Sequence, residues 1–518
     1  MKKPTIIINK ALSFIAMALL TITQTSAQTN SYTGATGGNW SISSNWTQGS
    51  TPNSSQTVLV TNGARTYIKG TTAALASNVT IGGSSGTSAI RIDSATTNSL
   101  TVGGNITLAS GAGHGYLEIG ENNGGKASLT LNGGTGSILN GGGGGNANID
   151  IYNHVGTLGL SSANADNLQI NNGGSASLTI GTNQTWNVGN AYIGRASANA
   201  AYAMTVEGIF NANRLDVGAG ATAGTNSARL IFNSGTIGAS LIQRTGTMDS
   251  EFIWNEGRIY KEGANVTAGG TANILTIRLA GTGEHVFEAT AGKTNTVNTF
   301  AVLADKSGEA GTLTKRGAGT LLLAGTNTYS GITTVDSGTL IVNGFLSSSN
   351  TIVSVGATLA GSGILQAVTL QGGTLAPGNS PGLLTMISLN ATYGNFNFEL
   401  GAPATRGVTY DALNVSSLLT LGNNTTWTFS VHNNYAFQLN DTYDLMDWGA
   451  LDASTFDSNT LQAALPDLDT ANTGLTWDIN SFTTNGTIGV IPEPSAASLM
   501  VLGGAVLSLL TLRKIKNL

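Results

Sequence analysis

Side chains able to do acid–base or metal chemistry are thinly spread along this 518-residue chain. Cleaving a polysaccharide on a β-rod needs carboxylates gathered on one face, often with calcium or an Arg or Lys base. The acids of the first half stand apart instead: Asp93, Glu118, Glu121, Asp150, Asp166, Glu207 and Asp216, with no Asp-x-Asp among them. The densest charged stretch, Glu251, Glu256, Arg258, Lys261 and Glu262, reads as a solvated strand face. Further on come Asp441, Asp444, Asp447 and Asp452, then Asp467-Leu468-Asp469, with Asp478 at the twelfth position from Asp467. A calcium loop of the EF-hand kind also wants a ligand at the fifth position and Gly at the sixth. Ala471 and Asn472 stand there, so a solvated acidic loop is the expectation. His114, His154, His285 and His432 lie far apart and read as solvated loop residues rather than ligands. The chain has no cysteine, which excludes disulfides, thiolate metal sites and a cysteine nucleophile. No phosphate loop, Ser-His-Asp grouping or dinucleotide fingerprint occurs. The residues therefore predict no catalytic site, no cofactor and no metal. A net charge of −5 over this length makes no electrostatic case for nucleic acid.

What the chain has in quantity is small and polar. Charged residues are 9% of it, glycines number 71, and Ser, Thr and Asn fill much of the remainder. Such a composition fits disorder as readily as a repeat. The hydrophobic 40% decides between them, because it arrives in a rhythm. Apolar pairs with one residue between recur at Leu100/Val102, Ile106/Leu108, Leu117/Ile119, Leu129/Leu131, Ile149/Ile151, Leu158/Leu160, Leu168/Ile170, Leu178/Ile180, Trp186/Val188, Met204/Val206, Leu215/Val217 and Leu230/Phe232. Their starts lie mostly about ten residues apart, between Gly/Asn turns such as Asn122-Asn123-Gly124-Gly125 and Asn171-Asn172-Gly173-Gly174. Strands this short bury one face and must stack to be stable. The fold class expected is all-β: a right-handed parallel β-helix, a solenoid of a dozen or more rungs, roughly 60–80 Å long. Asn suits its turns, since it tolerates left-handed backbone and forms side-chain ladders.

Trp40 and Trp46, within Tyr32-Thr33-Gly34…Gly38-Asn39-Trp40-Ser41…Asn45-Trp46…Thr51-Pro52, are similar to the opening of many secreted bacterial repeat proteins. Six residues apart, the two rings match in parity on an extended chain and suit a cover for the first rung; a sugar-stacking pair is the functional alternative. Gly311-Thr312-Leu313-Thr314-Lys315-Arg316-Gly317-Ala318-Gly319-Thr320-Leu321-Leu322-Leu323, then Gly325-Thr326-Asn327-Thr328-Tyr329-Ser330-Gly331 and Thr333 to Leu340, resemble the autotransporter-associated β-strand repeat over residues 311–344. Leu321, Leu323, Leu340 and Val342 read as inward, Gly325 and Gly331 as tight corners, and Tyr329 as packed over a corner. The stretch Gly372 to Gly382 fits the continuation seen in such proteins. No terminal strand-built barrel follows, so self-secretion is not implied. The β-helix is expected over 28–394. From about Asn395 fuller strands with Phe396, Phe398, Trp427 and Phe429 predict a β-rich C-terminal cap, 395–489, and Asn485 to Pro494 a flexible tether.

The two ends carry addresses. Lys2, Lys3 and Lys10, an apolar Ala11–Leu20 and Thr25-Ser26-Ala27 read as a signal peptide over 1–27, cleaved between Ala27 and Gln28. At the other end Pro492-Glu493-Pro494, an apolar run 496–512 and the basic Arg513, Lys514 and Lys516 resemble, over 490–518, a PEP-CTERM sorting signal. About 17 residues of helix span roughly 26 Å, enough for a thin bilayer core, with the basic cluster on the cytoplasmic side. The resemblance implies export across the inner membrane, a transient transmembrane helix and an exosortase-type protease as partner. The function expected is a structural or adhesive solenoid at the cell surface or in the extracellular matrix, meeting polysaccharide or like chains. The alternative is a β-helix polysaccharide lyase or hydrolase.

Overall fold

The computed structural model describes residues 27–493, apart from 71–72, 94–97, 110, 121–126, 143, 145, 153–154, 171–174, 195–199, 221–225, 272 and 469–473. Over these residues the chain is an all-β parallel solenoid. Each turn lays down three short strands, and each strand pairs in parallel with its counterpart one turn later. Asn78–Ile81, Thr87–Ile92 and Asn98–Val102 make one turn; Ile106–Leu108, His114–Ile119 and Ala127–Leu131 make the next. Val79 then pairs with Ile106, Ile90 with Leu117 and Leu100 with Leu129. These partners lie 27–29 residues apart, and a third of that is the ten-residue rhythm of the sequence. Alternation does the rest: every second residue of a strand points inward, and both members of every apolar pair of the rhythm are buried.

The coil tightens toward its C-terminal half. Leu321 pairs with Leu340 and Leu323 with Val342, a turn of only 19 residues. Corners this short leave no room for a side chain where rungs touch. A Cβ on Gly331 would run into the Gly311 carbonyl oxygen, and one on Gly344 into that of Gly325. Leu321, Leu323, Leu340 and Val342 are all fully buried, as their register required.

Both ends of the apolar column are closed. At the first turn Trp40 and Trp46 stand edge to face with ring centres 4.8 Å apart, and Tyr32 leans on Trp46 at 5.2 Å. The Trp46 indole N–H donates to the Trp40 carbonyl at 2.8 Å. With 1% and 2% of their surface exposed, the tryptophans are a lid, and the sugar-stacking alternative is excluded because no ring face is free. At the far end, parallel pairing runs on through Leu383–Leu400, Ala412–Val431 and Met446–Asp452. The change of texture near residue 395 is thus a lengthening of strands that bend across corners, within one continuing ladder. Over the last rung sit a helix, Ser458–Ala464, and an antiparallel sheet of Thr442–Asp444, Thr487–Pro492 and Leu475–Asp478. Trp427 packs against Phe456 and Phe482 beneath this cap. The segment expected to be a tether from Asn485 is instead the central strand of that sheet, because Ile488 and Val490 alternate into the core.

Candidate functional site

Four of the residues singled out at the chain ends fall at the edges of the described region. Ala27 is half-buried, Gln28 is exposed and opens the first strand, Gln28–Ser31. Pro492 is exposed at the end of the last strand, opposite Leu475, and the backbone N–H of the exposed Glu493 donates to the Gly474 carbonyl at 2.8 Å. Pro494, the apolar run 496–512 and Arg513, Lys514 and Lys516 lie outside the described residues, as do residues 1–26. Among the described residues no helix is long and apolar enough to cross a membrane.

The scattered acids stay scattered in space. Glu118 pairs with Arg91, Asp216 with Arg214, and Glu251 with both Arg229 and Arg278 across successive rungs. Among the described residues no three His, Asp or Glu side chains come close enough to hold a metal. Asp469 and residues 470–473 of the acidic loop lie outside the described residues. His114 and His285 stand in strands and not in the solvated loops expected of them. His285 is fully buried, with Nδ1 2.8 Å from the Thr312 carbonyl and Nε2 2.8 and 3.1 Å from those of Trp254 and Ala280. Burial holds its pKa below the ordinary value, against those three carbonyls. It staples neighbouring turns. His114 accepts the Asn146 N–H at Nδ1, and His154 is outside the described residues.

The repeat around Gly311 shows where buried polarity is used. Lys315 lies inward between Phe287 and Val335, and its ammonium donates to the carbonyls of Arg316, Gly317 and Ser337 at 2.7–2.9 Å. Desolvation pulls its pKa down to about 8, partly opposed by Glu288 and Asp336. Tyr329 is fully buried with its hydroxyl 2.6 Å from Thr333 Oγ1. Asn327, also buried, accepts the Leu303 N–H and donates to the Gly325 carbonyl. These are structural ties that join neighbouring turns.

The feature that faces solvent with a shaped, polar surface is a groove along one corner of the coil. Strands Ser162–Ile170, Thr185–Ile193 and Ile209–Val217 each turn this corner without a break. Inward–outward alternation skips a residue there, at Asp166, Gly189 and Asn213. A Cβ at Gly189 would sit 2.5 Å from the Asp166 carbonyl oxygen, which is why glycine stands at the bend. On one side Asn164, Asn187 and Asn211 are in register. Asn187 Nδ2 donates to Asn164 Oδ1 at 3.0 Å and Asn211 Nδ2 to Asn187 Oδ1 at 2.9 Å. On the other side Asn190 donates to Asn167 at 3.4 Å and Asn167 to Asn148 at 2.8 Å. The corner beside the first of these rows opens a volume of about 380 Å³, walled by Asn140, Asn164, Asn187, Asn211, Asn213 and Lys261 among others. At one end the Lys261 ammonium donates to Ser240 Oγ at 2.6 Å and the Ala212 carbonyl at 2.7 Å, and desolvation lowers its pKa. At the other end Asp166 accepts from Asn140 Nδ2 at 3.0 Å and the Ala147 N–H at 2.7 Å. The site therefore offers a row of amides, with a cation at one end and, behind Asn140 at the other, the carboxylate of Asp166. Such a surface is able to hydrogen-bond an uncharged polar group. No single residue of the ladder is conspicuous in the sequence; the signal was Asn recurring at one rung's separation, 164, 187 and 211.

A family described as the passenger-associated-transport-repeat matches residues 313–342. An extracellular serine protease of Serratia marcescens is 44% identical over 84 residues, which are 16% of this chain and 8% of that protein. The likeness thus spans a small part of either chain. The matched residues 313–342 include Lys315, Leu323 and Tyr329 and the tight 19-residue turn from Leu321 to Leu340.

Proposed function

We propose that this chain is a secreted or surface-displayed structural and adhesive β-solenoid that binds polysaccharide along the asparagine-walled groove. The carrying observation is the groove itself: amides repeating at the spacing of the rungs, open to solvent, on a nearly uncharged wall. Stacked amides present donors and acceptors at intervals of about 4.8 Å, a pattern suited to the hydroxyls of a polymer more than to a compact ligand. Export is supported by the signal-like N-terminus, by the passenger-associated repeat and by the extracellular relative. The sorting system is read as PEP-CTERM and exosortase-type, from Pro492-Glu493-Pro494 and the tail behind it. The protein is read as a binder without turnover, since no carboxylate stands in the groove's lining and Asp166, bonded to the lining Asn140, also accepts the Ala147 N–H.

The test is sedimentation with a panel of neutral polysaccharides (dextran, a β-1,3-glucan, hydroxyethylcellulose), together with an assay for new reducing ends. Binding to at least one, weakened roughly 3–10-fold in Asn187→Ala for one or two lost hydrogen bonds, is expected. Release of new ends would replace the adhesive reading by a lyase or hydrolase; no binding to any member would sink it. Mass spectrometry of the native protein tests the sorting. Recovery of Leu518 on most molecules would mean the tail is retained.

A further inference from the structure

A second groove opens on the same face of the rod, further toward the C-terminal end. It holds about 350 Å³ and is bounded by Asn350, Thr369, Ser388, Asn390, Leu418 and Thr420. Its relation to the first follows from the register alone. Thr185, on the strand that carries Asn187, pairs with Ile209, and the column continues through Thr236, Arg258, Val286, Thr314, Thr334 and Ile352 to Thr369. Thr369 then pairs with Asn390, and Asn390 with Thr420. The two grooves thus lie at opposite borders of one continuous strand face, with eight pairings, or roughly 40 Å at about 4.8 Å per rung, between their middles. Between them the charges on that face are tied to each other, Arg258 to Glu288 at 3.0 Å and Arg316 to Glu284 and Asp336.

Beside the second groove lies the aromatic that Trp40 and Trp46 turned out not to be. Tyr393 is 53% exposed, and every other aromatic among the described residues is half-buried or buried. Its ring has a seat made for it. It lies over Gly372, where a Cβ would come within 2.7 Å of Tyr393 Cε1 and 2.6 Å of Val355 Cγ2, and where φ of +83° already favours glycine. Gln371 is its partner in register, and Asn390 stands three residues before it, about 10 Å along the strand. A flat ring with hydroxyls and amides within one or two sugar lengths, and no net charge, fits the apolar face and equatorial hydroxyls of a pyranose. Asn350 and Thr369 are already paired with each other at 3.1 Å, which fixes their groups at the groove's edge.

We propose that Thr369, Asn390 and Tyr393 form a second polysaccharide subsite, so that one long neutral glycan engages both grooves at once. This rests on the reading of the first groove. Its physical consequence is avidity: once one groove holds the polymer, the second meets it at high effective concentration, whereas a short oligosaccharide cannot reach across 40 Å.

The experiment compares a neutral polysaccharide that the full chain binds with a short oligosaccharide of the same linkage. The proteins are wild type, Tyr393→Ala, Asn390→Ala and Asn187→Ala, each checked for an unchanged melting midpoint. Tyr393→Phe serves as the conservative control. The expected result is a loss of ten-fold or more in apparent affinity for the polymer in Tyr393→Ala, restored in Tyr393→Phe. Oligosaccharide binding at the Asn187 groove should be unchanged. If Asn187→Ala weakens polymer binding while Tyr393→Ala and Asn390→Ala do not, the second subsite is wrong and the first groove stands. If Tyr393→Ala abolishes binding while Asn187→Ala does nothing, both the bridging and the first groove are wrong. If wild type binds no polysaccharide of the panel, both readings fall together.

Discussion

Lys315 shows most sharply how a single residue can belong to two rungs. Its aliphatic stem fills a core position between Phe287 and Val335, while its ammonium ties the corner at Arg316–Gly317 to Ser337 of the next turn. Gly338, with φ of +69° and a would-be Cβ 2.8 Å from Lys315 Nζ, leaves the space for that head. Met in its place would keep the stem but leave the Gly317 and Ser337 carbonyls without this donor. Lys315→Met is expected to cost about 1–3 kcal/mol at neutral pH, read from denaturant unfolding of the full chain. The pH dependence has a definite sign. An unfolded lysine keeps its proton to about pH 10.4, while buried Lys315 releases it near 8. Between those values the unfolded chain binds the proton that the native one has lost, so wild type gains stability as pH rises through this window. Lys315→Met lacks the gain, and its deficit should widen from pH 8 to 10. A deficit that narrows would mean the native ammonium is held, not strained, by its three carbonyls.

At the scale of the element, the unit is one turn of the coil pressed against its two neighbours. Leu323 sits between Val297 below and Val342 above, all fully buried. Leu323→Asp would place a carboxylate in that column, a cost on the order of several kcal/mol unless it protonates or the turn opens. Since each turn touches only its neighbours, the damage is expected to stay local. Limited proteolysis should cut within 311–345 while the turns before Gly218 remain protected. Simultaneous cutting along the whole chain would show a single cooperative unit. The asparagine columns obey the same logic from outside: Asn211 ends its ladder because the next position in register is Gly238, where a Cβ would collide with the Asn211 side chain. The groove is therefore as long as the run of asparagines that the coil brings into line.

The whole molecule is a rod because nothing in the coil bends it back on itself. Parallel pairing steps without interruption from Gln28–Ser31 to Met446–Asp452, on the order of 80 Å at about 4.8 Å per rung, with the two caps added at the ends. Small-angle scattering should give a skewed pair-distance distribution with a tail reaching about 90–100 Å. A compact globule of this length would have a radius of gyration of about 23 Å and a symmetric distribution ending near roughly 60 Å, and that outcome would refute the solenoid. The two capped ends matter to solubility as much as to shape. Trp40, Trp46 and Tyr32 at one end, and the antiparallel sheet with Trp427 and Phe482 at the other, hide the apolar column that would otherwise join rod to rod.

The architecture was legible in the residues because a solenoid is written locally. Alternating apolar pairs ten residues apart specify short strands that must stack, and every pair from Leu100/Val102 to Leu230/Phe232 went inward. The same holds for Leu321, Leu323, Leu340 and Val342, whose parity alone sets the face they occupy. Parity could not say how many residues lie between rungs, which depends on loop length at each corner. Hence the strand continuing past 395 and the strand at Thr487–Pro492 had to be seen. Nor could it separate a buried polar residue from a solvated one. His285, Lys315 and Asn327 each found backbone carbonyls or N–H groups only because the coil returned a particular turn beside them. The grooves lie at the same limit. That Asn164, Asn187 and Asn211 form a wall, and that Tyr393 stands exposed while Trp40 and Trp46 are sealed, are facts of register and corner geometry. Such facts arise only when residues far apart in the chain are stacked one rung above another.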